Sequence, residues 1–278
     1  MKKRSTFLLT CLCFAYAFFY IPIISMMFFS FNNARLATVW GGFSTKWYGT
    51  LFSNQAVLKA AWLSLQIAFW SATLATILGT LAALALTRFT RFKGRTLFSG
   101  LVSAPLVMPE AITGLSMLLL FVYMGNVLGW PANRGFTTIT IAHTTFSLSY
   151  VAVVVQSRLA SMDQSIEEAA MDLGSKPLRV LIDVTFPIIA PAIISGWLLA
   201  FTLSLDDVVI ANFTNGPGTT TLPIYIWGKI KLGVTPDINA LATLMIAFVA
   251  VLIGIAGFVM FRAEKRRMRE MQMGAASG

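Results

Sequence analysis

Charge is scarce in this chain. Only 12% of its 278 residues are charged and 57% are hydrophobic, whereas an average soluble domain carries about 25% charged residues. That shortage argues against a water-soluble enzyme. The apolar content excludes a disordered chain, which needs low hydrophobicity. Cysteine is nearly missing: Cys11 and Cys13 are the only two. Too few for a disulfide scaffold, they point to different faces of a helix, so a bond between them is sterically poor. A single histidine leaves too few ligands for a zinc site, which usually needs three or four. No metal is expected.

Enzyme signatures are also absent. No G-x-x-x-x-G-K-[ST] occurs, so the chain does not itself hold a nucleotide in that loop, and neither H-E-x-x-H nor G-x-S-x-G is found. Asp206 and Asp207 are adjacent on one apolar segment, so they cannot alone form the two-span aspartate dyad of an intramembrane protease. No catalytic residue and no cofactor are expected.

Long apolar runs are abundant. Six are read, at about 6–31, 60–86, 97–124, 136–156, 187–213 and 238–261. Each is long enough to cross about 30 Å of hydrocarbon as a helix. Alternating ten-residue strand patterns do not recur. The expectation is an all-α membrane protein, with one transmembrane domain over 1–278, six transmembrane helices and a loop at 157–186. The fourth run carries Thr137, Thr138, Thr140, His143, Thr144, Thr145, Ser147 and Ser149. It survives as a span only with that polar face turned towards other helices. The first run follows Lys2, Lys3 and Arg4 but is longer than a signal-peptide core, so an uncleaved span is expected.

Basic residues set the orientation. The N-terminus with 87–96, 157–186 and 262–278 holds 15 of the 21 Lys and Arg; the three other loops hold six. The first set is expected in the cytoplasm, with both chain termini. The net charge of +10 then reflects topology, and Arg262, Lys265, Arg266, Arg267 and Arg269 resemble a stop-transfer tail. No nucleic-acid partner is expected; membrane lipid is. Trp40, Trp47, Tyr48 and Phe52 of loop 32–59 suit the headgroup level.

Loop 157–186 is the most informative. Ser165 is expected to cap a short helix, with Glu167 and Glu168 in its first turn, where the helix dipole favours acids. Gly174 suits a left-handed stop, and Lys176-Pro177 restarts the chain. A second helix runs from about Leu178 through Pro187 and Pro191 into the membrane. Glu168-Ala169-Ala170, then Gly174, then Phe186-Pro187 resembles the EAA loop of bacterial ABC importer permeases. Phe186 stands where that pattern usually has leucine. The six-span plan extends the resemblance over the whole chain. It implies a type I ABC importer permease fold in the bacterial inner membrane, with the loop helix as a coupling helix. Docking into a separate ATPase subunit would involve Glu168, Ala169, Ala170, Asp172, Gly174 and Pro187. ATP would be bound by that partner, which accounts for the missing nucleotide loop. An ATPase dimer, a homologous second permease and a periplasmic binding protein are the implied partners.

Three acids lie within the spans: Glu110, Asp206 and Asp207. A charge at mid-membrane costs about 2.5–3.5 kcal/mol on insertion scales, which marks such residues as site candidates. Rise along the helices sets Glu110 and Asp206 at similar depth. Pro105 and Pro109 precede Glu110 and free backbone carbonyls that can line a cavity. Acids with free carbonyls suit a cation. Thr202 shares a helix face with Asp206, and Tyr123, Trp197 and Phe201 offer rings to an ammonium. The stretches Ser30–Ala34, Phe43–Phe52, Ala104–Ser116 and Ser195–Pro223, above all SLDD followed by GPGTTTLP, resemble the polyamine branch of the family. That resemblance implies putrescine or a related polyamine as substrate, touching Asp206, Asp207 and Glu110, with Tyr123 and Trp197 beside them. The competing readings are an importer of another small solute and a transporter working alone. His143 is expected to form a hydrogen bond between helices rather than a proton relay.

Overall fold

The computed structural model describes residues 6–34, 39–89, 91–233 and 235–276. Lys2, Lys3 and Arg4 lie outside the described residues, as do the side chains of Arg266, Arg267 and Arg269. The described residues fold into α1 (Thr6–Phe29), α2 (Lys46–Ser53), α3 (Gln55–Arg88), α4 (Arg95–Val107), α5 (Glu110–Leu128) and α6 (Phe136–Ala160). Then come α7 (Ser165–Asp172), α8 (Pro177–Val180), a π turn (Leu181–Thr185), α9 (Phe186–Asp206), α10 (Val209–Thr214), α11 (Leu222–Leu232) and α12 (Pro236–Ala276). Six of these runs are long and apolar enough to span a membrane, with α8, the π turn and α9 counting as the single run Pro177–Asp206.

Two compact units are present: Met1–Lys59 with Tyr225–Leu252, and Ala60–Ile224 with Ile253–Gly278. In the first, α1 has no buried residue, so its apolar surface is left to hydrocarbon. The loop that follows is organised by Asn32, which is fully buried. Its amide donates to the Val39 carbonyl at 2.7 Å, and its Oδ1 accepts the Ala34 and Gly41 N–H groups at 3.1 and 2.8 Å. Trp47 donates its indole N–H to the Asn32 carbonyl at 2.7 Å. Trp40 stacks on Phe28 with ring centres 4.5 Å apart.

The second unit is built around α6. Its Thr138, Thr140, His143, Thr144, Ser147 and Ser149 are buried, so most of the polar face turns inwards, whereas Thr137 in the first turn is exposed and Thr145 is half-buried. Thr140 and Thr144 donate to carbonyls one turn back at 2.7 Å, which satisfies their hydroxyls within the helix. Small residues let neighbouring helices approach. A Cβ on Gly79 of α3 would stand 2.9 Å from the Leu148 carbonyl oxygen, and one on Gly196 of α9 would stand 3.2 Å from Val151 Cγ1. Phe121, Ala142, Phe146 and Ile210 form one buried cluster across α5, α6 and α10.

Two expected spans are broken. The run expected as one helix over 97–124 is α4 and α5, parted at Met108 and Pro109 (ψ 134° and 137°). Pro109 has no N–H to donate, and its ring pushes Met108 out of the helical region. The run expected over 187–213 starts earlier, at Pro177, and α9 stops at Asp206. Asp207 is extended (ψ 126°), and α10 follows as a separate short helix. The π turn has a local cause. Pro187 cannot donate to the carbonyl four residues back, and the Phe186 N–H reaches instead to Leu181, five residues back.

Candidate functional site

The two helix breaks bring the membrane acids together. Glu110 opens α5 behind Pro109, and Asp206 closes α9. Both carboxylates are exposed on this chain, and Asp207 is half-buried beside them. Asp207 adjoins Asp206, and Glu110 lies within electrostatic reach of both. Helix contacts hold this arrangement, because a Cβ on Gly114 of α5 would stand 2.7 Å from Phe213 Cδ2 and 3.3 Å from the Ile210 Cα of α10.

The acids are not equivalent. Asp207 Oδ1 and Oδ2 accept the Ile210 N–H at 2.9 and 3.0 Å, and Oδ1 also accepts the Ala211 N–H at 3.4 Å. Asp207 therefore caps α10, where the helix dipole favours an anion. Asp206 and Glu110 instead stand exposed at helix ends.

A buried polar chain stands behind Asp207. Ser71 of α3 donates to Ser204 Oγ at 3.0 Å, and Ser204 Oγ lies 2.7 Å from His143 Nδ1. His143 is therefore bonded between helices, as expected from the sequence. Nε2 is buried, has no hydrogen-bond partner among the described residues and lies 3.8 Å from Asp207 Oδ2.

The proposed ring residues fall elsewhere. Trp197 donates its N–H to Thr73 Oγ1 at 3.1 Å and stacks on Phe201 at 5.2 Å. Phe201 is buried, which removes it from any open cavity. Nine residues of helix separate Trp197 from Asp206, about 13 Å. Tyr123 is exposed but stands about 20 Å along α5 from Glu110. The structure does not gather an aromatic cage around the acids. Thr202 donates to the Leu198 and Leu199 carbonyls at 3.0 and 2.9 Å, not to Asp206. Among the described residues, no three His, Cys, Asp or Glu are placed to hold a metal ion.

The second candidate region is α7. Glu168, Ala169, Ala170 and Asp172 lie on it, and none of its residues is buried. Gly174 ends it at φ 87°. The Ser175 N–H returns to Ala170 at 3.2 Å and the Gly174 N–H to Met171 at 2.8 Å. That pair of bonds is the Schellman ending that a left-handed glycine permits. The cap at the other end is not Ser165 but Asp163, whose Oδ1 accepts the Ser165 N–H at 3.0 Å. This bond holds the Asp163 carboxyl below the usual carboxylate range. A carboxylate placed two residues earlier is the better acceptor for a free helix N–H.

Glu167, expected only as an acid in the first turn of this helix, is paired across the fold. Its Oε2 lies 2.9 Å from Arg88 Nε, and its Oε1 accepts from Arg88 Nη2 at 3.1 Å and from the Thr185 hydroxyl at 2.6 Å. Arg88 is 79 residues away in the chain, so no local pattern reveals the pair.

Similarity to known proteins agrees with this geometry. The putrescine transport system permease protein PotI of Escherichia coli (strain K12) is 54% identical over 269 residues, covering 97% of this chain and 96% of that one. The spermidine/putrescine transport system permease protein PotC of Haemophilus influenzae is 43% identical, covering 88% and 92%. The fold resembles a chain of a bacterial ABC transporter involved in the import of the acidic polysaccharide alginate, with TM-score 0.73, 18% identity and 92% and 94% coverage. Residues 75–270 match the family profile as well, and the chain belongs to the family of binding-protein-dependent transport system inner membrane components.

Proposed function

We propose that this chain is a permease subunit of an ATP-driven importer for putrescine or a related polyamine. It lines the path with a second, homologous permease, receives cargo from a periplasmic binding protein and is driven by an ATPase dimer. The N- and C-termini face the cytoplasm of the inner membrane, as the distribution of Lys and Arg requires. The chain is not itself catalytic. The observation that carries the reading is identity along almost the whole chain to permeases of putrescine and spermidine/putrescine transport systems.

The chemistry of the membrane acids supports it. A polyamine carries positive charges separated by apolar carbons, and Glu110 and Asp206 offer exposed carboxylates near one another. The six apolar runs contain no Lys or Arg, so nothing inside them repels a cation. Asp206 and Glu110 are the principal contacts in this reading. Asp207 contributes charge while holding α10, and Tyr123 and Trp197 offer rings at other depths. At the cytoplasmic side, Glu168, Ala169, Ala170, Asp172 and Gly174 form the surface that meets the ATPase. Pro187 helps set the π turn through which the loop enters the span.

Uptake of labelled putrescine tests the function. Cells lacking polyamine import receive the whole complex with or without this chain, with spermidine and sulfate as competitors. Uptake should require the chain and yield to spermidine only. Uptake that persists without the chain, or yields to sulfate, defeats the polyamine assignment.

A further inference from the structure

The coupling helix is held in an unusual way. No residue of α7 is buried, so burial of apolar surface does not fix it. Beside it lies an apolar cleft of about 490 Å³, lined by Leu84 and Ala85 of α3, Met171 of α7, and Leu178 and Leu181. An open cleft cannot transmit a displacement as close packing does. The contact that crosses it is polar. Glu167 of α7 meets Arg88, the last residue of α3, and Thr185, the last residue of the π turn that opens α9. The Arg88 and Glu167 side chains are only 19% and 14% exposed, so solvent screens the pair less than it would a surface pair.

The geometry points to Glu167 as a positioning residue for transport. It ties the coupling helix to two spans at once and passes its movement to both. The partners suit this role. The Arg88 guanidinium gives one aligned hydrogen bond, from Nη2 to Oε1, and a charge contact from Nε to Oε2, and a charge-assisted bond of this kind constrains direction as well as distance. Thr185 sits at the end of a π turn, a point where a helix can change register locally. A push on α7 thus reaches α3 through Arg88 and α9 through Thr185. At its far end α9 carries Ser204 and Asp206, the latter one of the three acids. This inference rests on the reading that α7 meets the ATPase.

The test uses the full complex, reconstituted in vesicles, and reads labelled putrescine transported per ATP hydrolysed. Glu167→Ala should lower that ratio about tenfold while the ATPase subunit still co-purifies. Thr185→Val keeps the shape but removes the hydroxyl, and should lower the ratio by a smaller factor. The double exchange Arg88→Glu with Glu167→Arg should recover at least half of the loss, because a hydroxyl can accept from a guanidinium as readily as it donates to a carboxylate. A merely structural role reduces transport and hydrolysis in proportion. An unchanged ratio in Glu167→Ala, or an exchange no better than the worse single variant, overturns the proposal. Gly174→Asp separates it from the reading beneath it. Normal substrate-stimulated hydrolysis in Gly174→Asp removes docking at α7 and the proposal with it. Lost stimulation there, with an unchanged ratio in Glu167→Ala, overturns the positioning role alone.

Discussion

His143 Nε2 faces Asp207 Oδ2 at 3.8 Å, while the other ring nitrogen meets Ser204 at 2.7 Å. The imidazole thus stands between a hydroxyl chain that crosses from α3 to α9 and the carboxylate that caps α10. Double replacement probes this link. His143→Ala and Ser204→Ala should each lower the denaturation midpoint of the purified protein. Their coupling energy should be about 0.6 kcal/mol, the average for hydrogen bonds between membrane helices. Strictly additive effects would show that the two side chains act independently.

Asp206 and Asp207 should separate cleanly. Asp206→Asn removes a charge that faces outwards, so putrescine uptake should fall at least tenfold with the melting temperature unchanged. Asp207→Ala removes the cap of α10 and should destabilise the protein by about 1 kcal/mol, the usual value of a lost helix cap. Full uptake by Asp206→Asn would take Asp206 out of the pathway.

Gly114 tests the seam between α5 and α10. A Cβ there would stand 2.7 Å from Phe213 and 3.3 Å from the Ile210 backbone, whereas a Cβ on Gly100 of α4 meets nothing within 4 Å. Gly114→Ala should cost about 1–3 kcal/mol through overpacking. Gly100→Ala should be neutral or stabilising by up to about 1 kcal/mol, since glycine is a poor helix former. Thermal melts of the two variants give the comparison; equal midpoints would contradict the close approach.

Gly174→Ala isolates the helix ending from any added charge. At φ 87° a side chain costs about 1–2 kcal/mol. Less ATPase should co-purify with this variant, in measurable proportion to the wild type. An unchanged yield of ATPase would place the docking surface elsewhere.

Much of this molecule is determined locally. Apolar runs longer than the hydrocarbon is thick must become helices, because no water is there to satisfy the backbone. The positive φ of Gly174 follows from a glycine placed just after a short helical stretch. The burial of most of the α6 threonines and serines and of its histidine follows from the cost of showing them to lipid. These features need only neighbouring residues and a solvent.

Other features needed the folded chain. Pro109 signals a break in the third run, but the break after Asp206 has no proline; it depends on Asp207 finding the N–H groups of α10. Asp206 and Asp207 look alike in the sequence and differ only in what surrounds them. Trp197 and Phe201 suggested a cation cage until Thr73 and the helix core claimed them. Glu167 and Glu168 are adjacent acids on one short helix, yet only Glu167 points at Arg88, 79 residues away. The reason is common to the last two cases. Periodicity and solvent fix which segments are helices, whereas a side chain's partner is fixed by helices that meet far apart in the chain.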